Sequence, residues 1–193
     1  MWIAMGPQTT EQAGRAEQEE LERLLAGIAQ GDREALAELY CRTRAAVYAM
    51  ALSFLKNAQD AQDVTQDAFV QVWDHAPQYR PQGSPMAWLL TIARNLSRMR
   101  LRQGDRRSEL SEEAWDALPA AESGLSPEDR QMLQGALGAL GDQERQVVLL
   151  HAVAGLKHRE IAAVLELPLA TVLSKYHRAL KKMKVLLEGG EDQ

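Results

Sequence analysis

The sequence predicts an all-α protein of two small helical domains joined by a flexible acidic linker, and three observations predict it. Apolar residues recur at helical spacing from Leu21 to Leu96 and again from Met132 to Tyr176, and no run alternates with the period of a strand. Between them, residues 108–126, SELSEEAWDALPAAESGLS, turn acidic and small and are interrupted by Pro119 and Gly124. Leu156 to Lys184 reads as two short helices across a tight turn, the second heavily basic, which is a helix-turn-helix pattern. The expected divisions are a flexible N-terminus at 1–19, a first domain at 20–104, a linker at 105–126, a second domain at 127–187 and a tail at 188–193.

In chain order, residues 1 to about 16 are polar and are expected to be irregular. Leu21, Leu24, Leu25 and Ile28 form an amphipathic stripe that stops at Gly31. Asp32 then caps a longer helix whose inner face carries Leu36, Leu39, Tyr40, Val47, Met50, Phe54 and Leu55. Asn57 closes that helix, and Asp60 caps a third, DAQDVTQDAFVQVWDHA, with Val64, Ala68, Phe69, Val72 and Trp73 facing inward. Its outer face holds Asp63, Gln66, Asp67, Gln71 and Asp74 with no basic residue at helical spacing, so it offers uncompensated acceptors to a partner.

The segment HAPQYRPQGSP, with three prolines and a glycine, is a loop. Ser84 caps and Pro85 opens the next helix, which packs Met86, Leu89, Leu90, Ala93 and Leu96 inward. Its second half is basic. Arg94, Arg98, Arg100, Arg102, Arg106 and Arg107 face only Asp105, and guanidinium groups at that density suit phosphate.

In the second domain Ser126 and Pro127 start a helix with Met132, Leu133, Ala136 and Leu137 on its inner face. Gly141 and Asp142 divide it from another, which carries Val147, Val148, Leu149 and Val153 and ends at Gly155. The helix-turn-helix follows: Ile161, Ala162 and Leu165 in its first helix, a break fixed by Pro168, and Leu167, Val172 and Tyr176 continuing the buried side. Lys175, Arg178, Lys181, Lys182 and Lys184 then run without an acidic residue until Glu188. Four positions depart from the usual pattern. Glu166 stands where the turn commonly has a left-handed glycine, Ala170 and Leu173 where small or basic residues are usual, and Lys157 is a poor N-cap.

Composition limits the function. Hydrophobic residues make up 46% of the 193, enough for adequate cores, and the net charge of -5 argues against a general nucleic-acid binder. The charges are segregated, however, so their arrangement counts for more than their sum. Cys41, the single cysteine, excludes an internal disulfide, fits a reducing cytoplasm and is expected to be packed in its helix. Neither a signal peptide nor a membrane-length apolar run is present, so a cytoplasmic protein without membrane insertion is expected. There is no glycine-rich phosphate loop, no Cys or His pair at metal spacing and no nucleophile with an evident His partner. His75, His151, His158 and His177 lie on separate elements. No enzyme, cofactor or metal is expected.

The helix DAQDVTQDAFVQVW, the loop YRPQGSP, the helix AWLLTIARNLSRMR and the segment GLKHREIAAVLELPLATVLSKYHRALKKMK, in that order, resemble an extracytoplasmic-function (group IV) sigma factor of the sigma-70 family. The resemblance covers about residues 20–187. It implies that Asp60, Asp63, Gln66, Asp67 and Gln71 dock on the β′ clamp helices of core RNA polymerase, with a further contact at the β flap. It implies that Tyr79, Arg80, Trp88, Arg94, Asn95, Arg98 and Arg102 bind the opened -10 element of promoter DNA, where a flipped base must recover a few kcal/mol of lost stacking. It places Thr171, Ser174, Lys175, His177, Arg178 and Lys181 at the -35 element. An anti-sigma factor wedging between the domains is the further partner implied.

Two other readings compete: a sigma-like decoy that binds an anti-sigma factor without transcribing, which should lose its DNA-contacting charge, and a stand-alone helix-turn-helix regulator, which would leave the arginine helix unassigned. Both basic runs persist here. The acidic segment, through Glu109, Glu112, Glu113 and Asp116, is expected to hold the free chain compact at low salt with its DNA surfaces partly masked.

Overall fold

The computed structural model describes residues 7–103 and 127–188, and among these the regular structure is helical throughout. The first domain comprises α1 (Pro7–Ile28), α2 (Arg33–Leu55), α3 (Ala58–His75) and α4 (Pro85–Gln103). The second comprises α5 (Pro127–Gly138), α6 (Asp142–Ala152), α7 (His158–Leu165) and α8 (Leu169–Glu188). The expected linker and Arg106 and Arg107 lie outside the described residues.

Local chemistry sets most helix ends. The Asp32 carboxylate accepts from the Glu34 and Ala35 amides at 2.9 and 3.1 Å, and Ser84 Oγ accepts from Ala87 at 3.3 Å. The junction of α2 and α3 corrects the sequence reading. Lys56, in the left-handed region at φ 56°, closes α2, and Asn57 instead caps α3 by accepting from the Asp60 amide at 2.9 Å. Asp60 therefore sits in the first turn, where its charge favours the helix dipole. The loop after α3 is also less irregular than expected, since Ala76–Gln78 forms a 3-10 turn. A larger difference is α1, which begins at Pro7 although irregular chain was expected to about residue 16. Residues 7–20, PQTTEQAGRAEQEE, carry no apolar stripe for periodicity to detect.

Helix α2 is the centre of the first domain and touches α1, α3 and α4. Leu24, Met50, Leu52, Val64, Val72 and Leu90 fill the space between them, fully buried. Each such side chain contributes about 1.5–3 kcal/mol by leaving water. Cys41, expected to be packed, is exposed, and Tyr40, expected in the core, lies at the surface with its ring edge-on to Phe69 at 4.8 Å. Leu39 and Thr43 take the inner positions, and at about 100° per residue Tyr40, Cys41 and Arg42 between them are carried outward.

The second domain buries Leu137, Leu140, Val147, Leu150, Leu156, Ile161, Val164, Val172 and Ala179. Met132 and Val153, expected to share that core, are exposed. The two domains touch, α2 against α6 and α4 against α7. Lys56 and Asp142 pair across this boundary at 2.9 Å, an exposed bridge that contributes at most about 1 kcal/mol.

Candidate polymerase and nucleic-acid interfaces

The acidic face of α3 divides into two parts. Arg100 of α4 reaches over it, placing Nη2 2.8 Å from Asp60 Oδ1 and 2.9 Å from Asp63 Oδ2, and Gln59 donates to Asp63 at 3.2 Å. Asp60 and Asp63 are therefore compensated, contrary to expectation. The partner comes from a neighbouring helix, where intrahelical spacing cannot register it. Gln66 and Asp67 are exposed, their side chains make no hydrogen bond or ion pair among the described residues, and Gln71 is half-buried. These residues keep their acceptors available.

On the loop and α4, Tyr79 sets its ring edge-on to Trp88 at 5.1 Å. Its hydroxyl is buried without a hydrogen-bond partner, and burial pushes the phenol pKa up. Arg80 is exposed and folds back on the Tyr79 carbonyl at 3.1 Å. Asn95, Arg98 and Arg102 are exposed, but Arg94 is only 3% exposed. Its guanidinium donates to the Val164 carbonyl at 2.5 Å and to the Glu166 carboxylate at 2.6 Å, both at the end of α7. Arg98 reaches the other Glu166 oxygen at 3.1 Å. Glu166 takes the left-handed conformation, φ 54° and ψ 44°, that the turn requires.

The helix-turn-helix forms as α7, that turn and α8. Lys157 supplies no cap with its side chain, and Glu160 supplies the bond instead by reaching back to the Lys157 amide at 2.7 Å. Along α8, Ser174, His177, Arg178 and Lys181 are exposed and Thr171 and Lys175 half-buried, with Arg178 donating to Ser174 Oγ at 3.1 Å. Lys182, part of the same basic run, is committed elsewhere. It binds Glu144 of α6 at 2.7 Å, and this bond holds the Glu144 carboxyl below its ordinary pKa.

Two histidines that sequence placed on separate elements, His151 and His158, meet beneath α8. His151 and His158 stack at 4.8 Å and 21°, Tyr176 sets its edge against both at 5.0 and 4.7 Å, and His177 lies 6.0 Å from Tyr176. Since the Leu156 carbonyl can only accept, His151 Nδ1 carries the proton of their 2.9 Å bond. His158 Nε2 is buried without a partner. Burial first, then the His151 and His177 charges, lower its pKa. A depressed histidine pKa favours the folded state only while the ring is neutral. Its contribution is therefore intact above the unfolded value of about 6.5 and is lost as pH falls below that toward the folded pKa. The thermal midpoint of the second domain is expected to drop between pH 7.5 and 5.5, and to drop less in His158→Phe. Equal pH profiles for the two proteins would show that this ring plays no part.

Residues 39–107 match the family model for Sigma-70 region 2, and residues 130–183 match that for Sigma-70, region 4. The ECF RNA polymerase sigma factor SigK of Mycobacterium sp. (strain KMS) is 33% identical over 172 residues, which span 86% of this chain and 89% of SigK. The chain belongs to the ECF RNA polymerase sigma factors. SigK of Mycolicibacterium vanbaalenii is 35% identical over 84% of this chain and 88% of its own. Among solved structures, CnrH in complex with the cytosolic domain of CnrY is 30% identical and superposes with a TM-score of 0.62 over 90% of this chain and 99% of CnrH. RpoE of Bartonella quintana, in complex with the anti-sigma factor NepR, shares the fold with a TM-score of 0.60 over 79% of this chain and 96% of its own, at 24% identity. This sigma factor directs RNA polymerase to promoters for transcription initiation. Its first domain carries region 2 and its second carries region 4.

Proposed function

We propose that the sigma factor divides its work among three faces. The exposed part of α3, Gln66 and Asp67 with Gln71, docks on the β′ clamp helices, and the Arg100-paired Asp60 and Asp63 fix the register of that helix against α4. Tyr79, Arg80, Trp88, Asn95, Arg98 and Arg102, joined by Arg94 once it is uncovered, hold the melted -10 strand. Thr171, Ser174, Lys175, His177, Arg178 and Lys181 lie against the -35 element, and region 4 also meets the β flap. Domain boundaries of 20–104 and 127–187 suit this division. The observation that carries it is the sequence of faces along one chain, acidic α3, arginine-bearing α4 and basic α8, each within a matched sigma region.

The factor acts by binding and not as an enzyme, and it works in the cytoplasm. No helix among the described residues is long and apolar enough to cross a membrane. An anti-sigma partner is supported by RpoE, solved with NepR. Transcription with purified core polymerase tests the reading: the factor should confer promoter-specific initiation and should not protect duplex DNA alone. Sequence-specific duplex binding without polymerase would point instead to a stand-alone regulator.

The -35 assignment has its own test. Phosphate or base contacts of this kind contribute about 1–3 kcal/mol each, so joint substitution of Lys175→Ala and Arg178→Ala is expected to cut initiation at least about tenfold on duplex promoters. The deficit should shrink on templates melted in advance at -10. A defect in strand opening with unimpaired promoter recruitment would contradict the assignment.

A further inference from the structure

Glu166 occupies a backbone position at which glycine would be free of strain, since φ is 54° and the residue ends α7 with a left-handed turn. Its side chain does something glycine could not. The carboxylate leaves region 4 and spans two arginines of region 2, with Oε1 2.6 Å from Arg94 Nη2 and Oε2 3.1 Å from Arg98 Nη1. The Val164 carbonyl accepts from Arg94 Nη1 at 2.5 Å. Arg94, Arg98 and Arg102 succeed one another at intervals of four on α4, yet Arg94 alone is buried, and what buries it is the end of α7.

A carboxylate that receives guanidinium groups through both oxygens presents the charge and oxygen geometry of a phosphodiester. The same contact holds the Glu166 carboxyl below its ordinary pKa, chiefly through the Arg94 hydrogen bond, which favours the charged form. The arrangement also excludes promoter binding by both regions at once. Elements centred at -10 and -35 are about 25 base pairs, or roughly 85 Å, apart at about 3.4 Å per step. Here the turn of the helix-turn-helix is in hydrogen-bonding contact with the arginines of α4.

We propose that Glu166 is an intramolecular latch: its carboxylate stands in for a DNA phosphate on Arg94 and Arg98 and keeps region 4 closed on the basic face of region 2. The occupant of that face in the free factor is the chain's own helix-turn-helix turn, and assembly with polymerase must displace it before α4 can hold a strand. This masking differs from the one expected of the linker, because it resides in one residue of region 4. It rests on the reading of α4 as the single-strand face, and the test separates the two.

Glu166→Gly removes the carboxylate while relieving the left-handed strain, so region 4 should fold at least as well as before. Dyes on the exposed Cys41 and on Leu186→Cys, near the end of α8, report closure of the full-length chain by energy transfer. Its affinity for a 20-nucleotide random-sequence single-stranded DNA reports exposure of the arginines. Relative to the unsubstituted chain, Glu166→Gly is expected to lower the transfer and to tighten DNA binding about fivefold or more, the low end of ordinary coupling between sites. Glu166→Gln should follow in the same direction. Adding Arg98→Ala should remove the gain in affinity but not the opening. Unchanged transfer and unchanged affinity in Glu166→Gly would overturn the latch. Opening without any gain in affinity, with Arg98→Ala silent as well, would overturn the masking because α4 would not be the DNA face.

Discussion

Asp67→Lys is expected to abolish most core-polymerase binding while leaving the factor folded. Asp67 is exposed on α3 and carries no ion pair among the described residues, so its reversal disturbs nothing within region 2. Placing like charges across a complementary interface costs several kcal/mol, and at about 1.4 kcal/mol per decade the affinity should fall by about a hundredfold or more. Asp63→Lys should weaken binding too, but through a second route, because it turns a partner of Arg100 into a like charge and loosens α3 from α4. The two effects separate in solution. Asp67→Lys should retain the helical signal and thermal midpoint of the parent, whereas Asp63→Lys should lower the midpoint. Titration of labelled core enzyme with each variant checks the order, and parental affinity in Asp67→Lys would remove this face from the interface.

What the sequence made visible was local. The Asp32 and Ser84 caps, the break at Pro168 and the apolar stripes of α2, α3 and α4 each depend on residues within a turn or two, which is the range that spacing arguments cover. Asparagine suits both a left-handed helix end and an N-cap, so the sequence leaves Asn57 open between α2 and α3. Lys56 adopts the first role without any side-chain signal. Helix α1 was cut short for the opposite reason: its first turns are helical but polar, and periodicity has nothing there to report.

The site was legible as a set of charged runs and illegible as a set of pairs. Arg100 meets Asp60 across 40 residues and Arg98 meets Glu166 across 68. Neither distance can be read from one chain without the fold. Glu166 was visible in the sequence only as a departure from glycine, and its geometry supplies the reason, since the side chain has a partner on the other domain. Lys182 shows the converse error. It looks like one more cation of a DNA-facing helix, but it is held by Glu144 inside region 4.

Arg145 is the residue whose loss is expected to cost region 4 most, although nothing in the sequence distinguishes it from a surface arginine. It is buried at the start of α6, and its guanidinium fans across the end of α5, donating to the carbonyls of Leu137 at 2.8 Å, Gly138 at 3.2 Å and Leu140 at 2.8 Å. The Leu137 carbonyl also accepts from the Leu140 amide at 3.3 Å, but those of Gly138, at the end of α5, and of Leu140, just beyond it, depend on Arg145, and a cation there also meets the negative end of the helix dipole. Burial works against the charge and lowers its pKa, while Asp142 at 3.4 Å opposes that shift. Arg145→Met keeps much of the volume and removes every donor. Each desolvated carbonyl left unpaired costs about 1–3 kcal/mol, and water can serve some of them at this helix end, so the net loss should be about 2–4 kcal/mol. Arg145→Lys should fall between, because one ammonium cannot span three acceptors. In urea unfolding of the full chain, the transition of region 4 should move to lower denaturant while that of region 2 stays in place. The same variant should lose activity on promoters that depend on -35, since α6 supports α8 directly and partners it through Glu144 and Lys182. A shift of less than about 0.5 kcal/mol, the range of ordinary surface substitutions, would show that the carbonyls find other donors and that Arg145 is not what holds α5 to α6.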